Sequence, residues 1–504
     1  MTEIKTVAIV GAGAMGSGIA QVCAVAGFDV ILCDSKPGQA ARALQGIAAQ
    51  LDKSVQKGRM QVAEAHAAVQ RIAASEQLRD IAAAGLVIEA IVENLQAKQE
   101  LFPLIEEIVA DDCLIASNTS SLSITRLAAR CRKPQRVAGM HFFYPVPVMR
   151  LVEVIEGLRT DPATGDALER VGLKIGKQVV RVKDTPGFLV NQIGRGYTLE
   201  AMQVVAEGVA GHADVDRVMR EAAGFRMGPF ELLDLVGLDV NHPATEAIYR
   251  QFYDEPRYRP SDLMDSRVGA GLLGRKTGAG FYVYRDNQPE SEPQAPVPVM
   301  PDVVPPVWVS RDDPAQGDVL ASLLGRLGAE LEGGDRPSDG ALCLVAPVGE
   351  DASRCAARLG LDPVRTLAVD TLFGLDSHRT LMRTCLTGAS WCEAAHWLLA
   401  ADDTPVTVIR DSPGFIAQRV VAMIVNIGTA LAQARTAAPD DIDKAVKLAL
   451  SYPKGPMEFG DSLGVRRMGE LMRNLYQSHE DPRYRPSLWL DRRARLGCSL
   501  LEGD

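Results

Sequence analysis

Residues 1–183 alternate short apolar runs with longer amphipathic stretches, and this pattern predicts strands and helices in alternation. The apolar runs include Thr6–Val10, FDVILCD ending at Asp34, GLVIEAIVEN (Gly85–Asn94) and CLIASNTSSLSI (Cys113–Ile124). Nearly continuous apolar strands are typical of parallel sheets that helices cover on both faces. We therefore predict an α/β fold, a doubly wound domain, over residues 1–183.

The pattern changes at Asp184, where DTPGF predicts a turn and a long helix follows with Asn191 in its early turns. Further helical stretches continue through Tyr253, and an extended tail over 272–286 ends the region. We predict an all-helical domain over residues 184–286. Within the first domain, residues 39–70 read as one long helical stretch.

Three motifs of this helical region recur later in the chain. DTPGFLVNQI, GPFELLDLVG and EPRYRPS begin at Asp184, Gly228 and Glu255, and they return as DSPGFIAQRV, GPMEFGDSLG and DPRYRPS at Asp411, Gly455 and Asp481. The offset is the same for the first two motifs and shorter by one position for the third. Such regularity predicts an internal duplication of the helical domain. The second copy departs from the first in two places, since Gln418 stands where Asn191 stood and no GRKTG tail follows.

Composition shifts mark the boundaries between these regions. A dense run of Pro, Glu and Ser predicts a linker over 287–310. Residues 311–405 contain β-like runs such as ALCLVAP and LAVDTLF but no glycine fingerprint, so we predict a degenerate α/β segment there. The second helical copy then occupies 406–504.

Overall charge and cysteine usage exclude several classes of protein. The formal net charge of -10 argues against a general nucleic-acid binder, and the chain has no apolar run long enough to span a membrane. The nine cysteines are scattered without metal-like spacing, as expected of reduced thiols. We expect a cytoplasmic protein with no metal, no nucleic-acid partner and no membrane partner.

A glycine fingerprint stands between the first predicted strand and helix. GAGAMG supplies Gly11, Gly13 and Gly16, and the next strand ends in Asp34. Glycines at these positions allow a tight turn, close approach of a pyrophosphate and close helix packing, while the helix N-terminus offers N–H groups to phosphates. An acid at the position of Asp34 binds the ribose hydroxyls, so the pattern predicts NAD rather than NADP. The alternative is a glycine-rich turn without a ligand.

Polar residues also cluster at the carboxyl ends of two other predicted strands, where ligands of such sheets bind. Glu93 ends one strand, with Lys98 in the helix that follows, and the polar run Ser117–Ser121 ends the next. This run suits either a helix cap or a lining of hydroxyl donors. A basic cluster that includes Lys57 suits either a solvated helix face or a grip on an anionic substrate.

The candidate chemistry centres on GMHFFYPVPVMRLVEVIEG, Gly139–Gly157. We predict two strands joined by a bend at Pro145 and Pro147, so that His141 on one strand meets Glu153 on the other. An imidazole oriented by a carboxylate is a general base near neutral pH. Taken alone, the pair also fits a solvated histidine and a strand-edge glutamate; the fingerprint upstream favours catalysis.

With these motifs in place, residues 1–286 resemble the L-3-hydroxyacyl-CoA dehydrogenases. GAGAMGSGIA, IVENL, SNTSSL, HFF-PVPVM-LVEV, DTPGF-VN and GRKTG-GFY stand in the family order and spacing. The duplicated tail resembles the long bacterial form of the phenylacetate-pathway branch. The resemblance implies a Rossmann-like NAD domain and NAD-dependent oxidation of (S)-3-hydroxyacyl-CoA, with 3-hydroxyadipyl-CoA or 3-hydroxybutyryl-CoA as the expected substrate.

The resemblance also implies roles for individual residues. His141 matches the catalytic base, Glu153 its partner, and Ser120 and Asn191 the side chains that hold the substrate; Lys57 matches a coenzyme A contact. The implied cofactor-binding residues are Gly11, Gly13, Ala14, Met15, Gly16, Asp34, Glu93, Lys98, Ser120, Tyr144 and Lys276. Tyr144 stands where the family usually has an asparagine that contacts the cofactor.

The second half lacks an equivalent catalytic set. The position that the motif offset assigns to His141 is Ala368, so we expect one active site per chain. The resemblance implies an acyl-CoA substrate and a homodimer as a candidate assembly, and the second helical copy is expected to pack on the first within the chain. Two rival functions remain open at this point: an NAD dehydrogenase of a free hydroxy acid or sugar acid, and a non-catalytic NAD-binding assembly protein.

Overall fold

The computed structural model describes residues 4–290 and 292–503, which form two compact units. The first unit takes residues up to 191 together with 435–450, and the second takes 192–434 together with the residues from 451 onward. A segment of the second sequence repeat therefore belongs to the first unit.

An eight-stranded sheet forms the centre of the first unit. Its strands are β1 (Thr6–Val10), β2 (Asp29–Cys33), β3 (Ile72–Ser75), β4 (Leu86–Glu89), β5 (Leu114–Ser117), β6 (Val137–Phe142), β7 (Leu151–Glu156) and β8 (Gln178–Lys183). Their order is β3-β2-β1-β4-β5-β6-β7-β8; β6 and β7 pair antiparallel, and the other neighbours pair parallel. This is the predicted Rossmann-like doubly wound sheet, lengthened by β7 and β8.

Helices cover this sheet. They are α1 (Ala14–Val25), α2 (Gln39–Gln56), α3 (Val62–Gln70), α4 (Leu95–Ile108), α5 (Ile124–Ala128) and α6 (Pro162–Lys174). The single helical stretch predicted over 39–70 is wrong, because a turn at Gly58 divides it. The Gln61 N–H then donates to Oε2 of Glu64 at 3.0 Å at the start of α3, which gives the second helix its own start. The apolar strands β1, β4 and β5 are buried beneath these helices.

The second unit begins with helices of the first repeat. Helix α7 (Val190–Ala206) starts at the end of the first unit and continues into the second. It is followed by α8 (His212–Glu221), α9 (Pro229–Val236), α10 (Leu238–Gln251) and α11 (Asp262–Gly269). The tail forms a short antiparallel pair, β9 (Tyr284–Arg285) with β10 (Gln288–Pro289), so the predicted linker begins with paired strand.

A second sheet follows in the same unit. Its strands are β11 (Val307–Val309), β12 (Leu342–Val345), β13 (Thr366–Val369), β14 (Arg379–Arg383) and β15 (Val406–Ile409), and its helices are α12 (Pro314–Arg326), α13 (Ala352–Leu359) and α14 (Ala389–Leu399). The strands lie in chain order and pair parallel, parallel, antiparallel and parallel. This is the pairing pattern of β4 to β8. The sheet takes in β11 from the predicted linker and β15 from the predicted second helical copy.

Helices of the second repeat end the chain. They are α15 (Ala417–Gln433), α16 (Pro439–Ala449), α17 (Pro456–Leu463), α18 (Val465–His479) and α19 (Leu488–Leu496). Helix α16 lies in the first unit, where Lys183 at the end of β8 donates its N–H to the Thr436 carbonyl at 3.0 Å. In the residues that the model describes, no helix is long and apolar enough to cross a membrane.

The strand register corrects one expected equivalence. Ser117 pairs with Gly139 in the first sheet, and Val345 pairs with Ala368 in the second. The connections from β5 to α5 and from β12 to α13 are equally long, so Val345 is the counterpart of Ser117. Ala368 therefore corresponds to Gly139, and Asp370, two positions later, corresponds to His141. The constant offset of the motifs misses this because β13 is displaced by two positions relative to the helical motifs.

Candidate active site

His141 and Glu153 face each other across the antiparallel pair of β6 and β7. They are direct register partners, and Nδ1 of His141 lies 2.6 Å from Oε2 of Glu153. The glutamate is fully buried and the histidine is 5 % exposed. A carboxylate accepts hydrogen bonds, so Nδ1 carries the proton in the neutral ring and Nε2 is left as the basic atom. The predicted pair is therefore assembled by the strand register itself.

The other carboxylate oxygen of Glu153 is held by the start of α7. Oε1 accepts the backbone N–H groups of Leu189 at 3.3 Å and Val190 at 3.0 Å. Free N–H groups at a helix N-terminus stabilise a negative charge. The ring of His141 also lies against Phe143 and Phe188, with centroids 4.4 and 5.8 Å apart. The carboxylate that orients His141 is thus itself fixed by backbone.

The glycine turn has the shape that a dinucleotide requires. A Cβ on Gly16 would stand 1.8 Å from the Gly11 carbonyl oxygen, and one on Gly11 would stand 2.5 Å from the Ala90 oxygen. By contrast, a Cβ on Gly13 would meet nothing within 4 Å, so space lies open beside the backbone there. Asp34 accepts the N–H of Ala12 at 2.8 Å, which brings its carboxylate to this turn. The residues present fit NAD, and the contact that each of them makes with the dinucleotide stays a prediction.

Glu93 fixes the polar run that follows β5. One of its oxygens accepts the hydroxyl of Thr119 at 2.5 Å, the N–H of Ser120 at 2.9 Å and the hydroxyl of Ser121 at 3.1 Å. Burial alone would raise the pKa of Glu93, but the charge of Lys98 and these hydrogen bonds lower it overall. Glu93 lies in the loop after β4 rather than at the strand's end, and in this structure it binds the serine loop.

Lys98 is almost fully buried between two carboxylates. Its Nζ lies 2.7 Å from Glu89 Oε1 and 3.2 Å from Glu93 Oε2, while Glu89 Oε2 accepts the hydroxyl of Ser117 at 2.6 Å. Ser117 belongs to the predicted polar run, whereas Glu89 is not among the predicted site residues. A single acid within the apolar run LVIEAIV was the signal, because a buried charge requires a partner.

Ser120 and Asn191 also meet. Asn191 is the second residue of α7, and its Nδ2 donates to the Ser120 carbonyl oxygen at 3.1 Å. Both side chains are half-buried. The family resemblance assigns both residues to the substrate. They are distant along the chain, and the fold of the first unit brings them together.

Lys57 lies on a cleft of about 500 Å³ in the first unit. The cleft is lined by α1 at Ala14, by α2 and its C-terminal cap Lys57, and by the connection between β6 and β7 at Tyr144. Lys53 and Arg59 also line it, so one wall is basic. The side chain of Tyr144 is 70 % exposed. The cleft has the size and charge to take an anionic ligand.

Lys276 belongs to the second unit, unlike the other predicted cofactor residues. Its ammonium forms an ion pair with Asp239 there. The assignment of Lys276 to the cofactor stays a prediction. Among the residues that the model describes, no group of three or more His, Cys, Asp or Glu side chains is arranged to hold a metal ion.

Family comparisons match most of the chain. The NAD-binding domain of 3-hydroxyacyl-CoA dehydrogenase matches residues 6–185, and the C-terminal domain of the same family matches twice, over residues 187–284 and 414–499. The double match confirms the predicted duplication of the helical domain.

Individual relatives agree with these matches. The chain is 36% identical to a 3-hydroxyadipyl-CoA dehydrogenase of Escherichia coli K12 over 496 residues, which cover 98% of both chains. It is 43% identical over 284 residues to a probable 3-hydroxybutyryl-CoA dehydrogenase of Bacillus subtilis, covering 56% of this chain and 99% of the relative. A crystal structure of a 3-hydroxybutyryl-CoA dehydrogenase from Escherichia coli K12 superposes with a TM-score of 0.86 at 35% identity, covering 98% of this chain and 99% of the other.

Proposed function

Because this chain belongs to the 3-hydroxyacyl-CoA dehydrogenase family, we propose that His141 is the catalytic base of an NAD-dependent oxidation of 3-hydroxyacyl-CoA. The reaction is that of the family, and the assignment of the base rests on one observation. His141 and Glu153 are a buried, hydrogen-bonded register pair whose imidazole is held in a single tautomer.

In this proposal Nε2 of His141 accepts the proton of the substrate's 3-hydroxyl group. The imidazolium that forms donates from Nδ1 to Glu153, whose negative charge is already supported by two backbone N–H groups. NAD supplies a hydride acceptor when bound. The part of the protein is to fix the base and to orient the substrate and the cofactor.

Ser120 and Asn191 are proposed to hold the substrate hydroxyl and thioester region. Their mutual hydrogen bond fixes the position of Asn191 relative to the loop that Glu93 orders. Asp34, Gly11, Gly13 and Gly16 are proposed to receive the dinucleotide. Lys57, on the basic wall of the cleft, is proposed to bind phosphate groups of coenzyme A.

The acyl group is proposed to be short. The relatives with nearly full-length matches are named for 3-hydroxyadipyl-CoA and 3-hydroxybutyryl-CoA. These substrates differ in a distal carboxylate, which requires a cation or hydrogen-bond donors to bind without a large desolvation cost. Steady-state comparison of kcat/KM for the two thioesters decides between them.

Reduction of acetoacetyl-CoA with NADH tests the proposal as a whole. We expect turnover with NADH and much weaker turnover with NADPH, because Asp34 would repel a 2′-phosphate. Activity on a free hydroxy acid without any on coenzyme A thioesters would overturn the substrate assignment. No turnover with any hydroxyacyl-CoA would favour a non-catalytic NAD-binding protein.

We also propose a cytoplasmic location, supported by the cysteines. All nine are free thiols, and six of them are buried. Burial raises the pKa of the Cys33 and Cys131 thiols to about 11, so these two stay protonated and unreactive at neutral pH.

A further inference from the structure

The two helical copies pack against each other within the second unit, and equivalent residues meet where they do. Phe225 and Tyr452 are separated by the same offset as the first two motifs, and their rings contact each other with centroids 5.0 Å apart. The helical turns Pro256–Tyr258 and Pro482–Tyr484, also equivalent, contact each other as well. Contact between a residue and its own equivalent is the mark of a two-fold arrangement. The helical copies therefore pair as the two subunits of a symmetric dimer do.

One feature of this interface breaks the symmetry. Arg419 of α15 is completely buried, and its guanidinium bonds Glu200 at 2.6 Å and Glu207 at 2.6 and 2.9 Å, both on α7. The hydroxyl of Tyr484 lies between the charges, accepting from Arg419 and donating to Glu200, each at 2.7 Å. A second guanidinium, that of Arg483, lies 3.2 Å from the other oxygen of Glu200. Burial alone would raise the pKa of Glu207, but the hydrogen bonds and charge of Arg419 lower it overall.

The reciprocal position of the interface lacks the central charges. The residue equivalent to Arg419 is Gln192, and the residues equivalent to Glu200 and Glu207 are Ile427 and Ala434. Gln192 accepts the hydroxyl of Tyr258, the equivalent of Tyr484, at 2.8 Å. The flanking arginine is kept as well, since Arg257 is the equivalent of Arg483. The tyrosine and the flanking arginine are thus present on both sides of the interface, whereas Arg419 and its two carboxylates are present on one side only.

We propose that the Arg419–Glu200–Glu207 cluster makes the two helical copies specific for each other. The α7 face of the first copy binds the second copy, which carries Arg419, in preference to the first copy of another chain. If the first copies of two chains paired, Glu200 and Glu207 would face Gln192, and no guanidinium would be present to bind the two carboxylates. Two second copies would bury Arg419 against Ile427 and Ala434, which offer no anion. A buried charge without a partner is strongly unfavourable, whereas a buried pair can be replaced by apolar residues at little cost.

The cluster consequently directs pairing within one chain. A single chain carries one copy of each kind, joined by a continuous backbone, so the unlike pair forms at a high effective concentration. Like pairs between two chains would compete with it if the two faces were equivalent. This inference concerns the helical copies alone and does not depend on the proposed dehydrogenase activity.

The test is to make the two sides equivalent in the full-length chain. The triple variant Glu200→Ile/Glu207→Ala/Arg419→Gln gives each position the residue found at its counterpart. We expect it to keep its helix content and to populate a species of twice the parent's mass, at least about tenfold more than the parent at equal concentration, by sedimentation velocity. An unchanged mass distribution in the folded variant would overturn the proposal.

A control separates this effect from general destabilisation. Arg379 of β14 and Asp402, before β15, form another ion pair of the second unit, within the second sheet and its connections, and Arg379→Gln/Asp402→Ala removes it. This variant is expected to keep the parent's mass distribution, and equal association in both variants would count against the proposal. If the triple variant does not fold, Glu200→Gln/Glu207→Gln/Arg419→Gln removes the same charges while keeping the sizes of the two glutamate side chains. Failure of both to fold would show that the charges are needed for folding, which also contradicts the proposal.

Discussion

The second sheet repeats the strand topology of β4 to β8, and the two sheets differ in the chemistry that this shared topology carries. In the first, the antiparallel pair β6 and β7 sets His141 opposite Glu153. In the second, the antiparallel pair β13 and β14 brings Asp370 and Thr380 to the same position, where the Asp370 N–H bonds the Thr380 carbonyl. The fold alone therefore does not make a catalytic site.

The surroundings of the two positions differ as well. Within the described part of the chain, the second sheet has no counterpart of β1 to β3, and with them it lacks the glycine turn. Beyond β12 the second sheet contacts α18: Asn474 donates to the Val348 carbonyl at 2.8 Å, and a Cβ on Gly349 would stand 2.7 Å from the Leu471 carbonyl oxygen. A cavity of about 60 Å³ remains there, against about 500 Å³ beside the first sheet. The second crevice has room for water-sized groups and is too small for a dinucleotide.

The largest expected effect comes from His141→Ala. Without its base the reaction should slow by about 10²–10⁴-fold in kcat, with an unchanged circular dichroism spectrum. His66→Ala, which removes an exposed histidine of α3, is the matched control and should keep full activity. A normal rate in His141→Ala would remove the proposed mechanism.

The next effect is that of Glu153→Gln. The amide no longer compensates the positive charge on His141, so kcat should fall by roughly 10- to 1000-fold, less than on loss of the base. Glu156→Gln, on the same strand but bonded to Arg181, should leave kcat unchanged. Equal loss in the two variants would mean that Glu153 acts only through the stability of β7.

A smaller effect is expected at Lys57. Lys57→Ala removes one cation from the wall of the cleft, so KM for the coenzyme A thioester should rise about three- to tenfold with kcat unchanged. Lys5→Ala, an exposed lysine before β1, is the control. An unchanged KM would favour the interpretation of this basic cluster as a solvated helix face.

The smallest effect on activity is expected in the second sheet, at Asp370→Asn, which should leave kcat and KM unchanged. The substitution should instead change how the free energy of unfolding depends on pH. Burial raises the pKa of Asp370 to about 6, although its Oδ1 accepts hydrogen bonds from Gln418 and the Leu372 N–H. Between about pH 4 and pH 6 the folded state keeps a proton that the unfolded state has lost, so the free energy of unfolding falls as pH rises.

Replacement by asparagine removes that proton linkage. Relative to the parent, Asp370→Asn should gain up to about 3 kcal/mol in unfolding free energy between pH 4 and pH 7, measured by urea denaturation at each pH. If the unfolding free energies of Asp370→Asn and the parent differed by the same amount at every pH in this range, the raised pKa of the buried Asp370 carboxyl would be contradicted. A loss of activity would contradict the assignment of catalysis to the first sheet alone.

The sequence by itself determined the elements whose signals lie in the pattern of residues. Apolar runs predicted the strands, the glycine fingerprint with Asp34 predicted the dinucleotide turn, and motif offsets predicted the duplicated helices. The strand and turn signals are local because the backbone geometry of a strand or turn depends on adjacent residues, and the duplication is visible because the same motifs recur in the same order. The pairing of His141 with Glu153 was also within reach, since a short connection between adjacent strands leaves few registers.

Only the tertiary structure decided what depends on contacts between distant segments. The assignment of Asp370 rather than Ala368 to the position of His141 required the pairing of β12 with β13, since a small displacement between repeats is invisible to a constant offset. The partners of Glu89 were also decided by the fold, which brings Lys98 and Ser117 within hydrogen-bond distance of its carboxylate. Arg419 and Glu200, far apart along the chain, form one buried cluster because two helical copies pack together, and no periodicity along a chain encodes which surfaces meet.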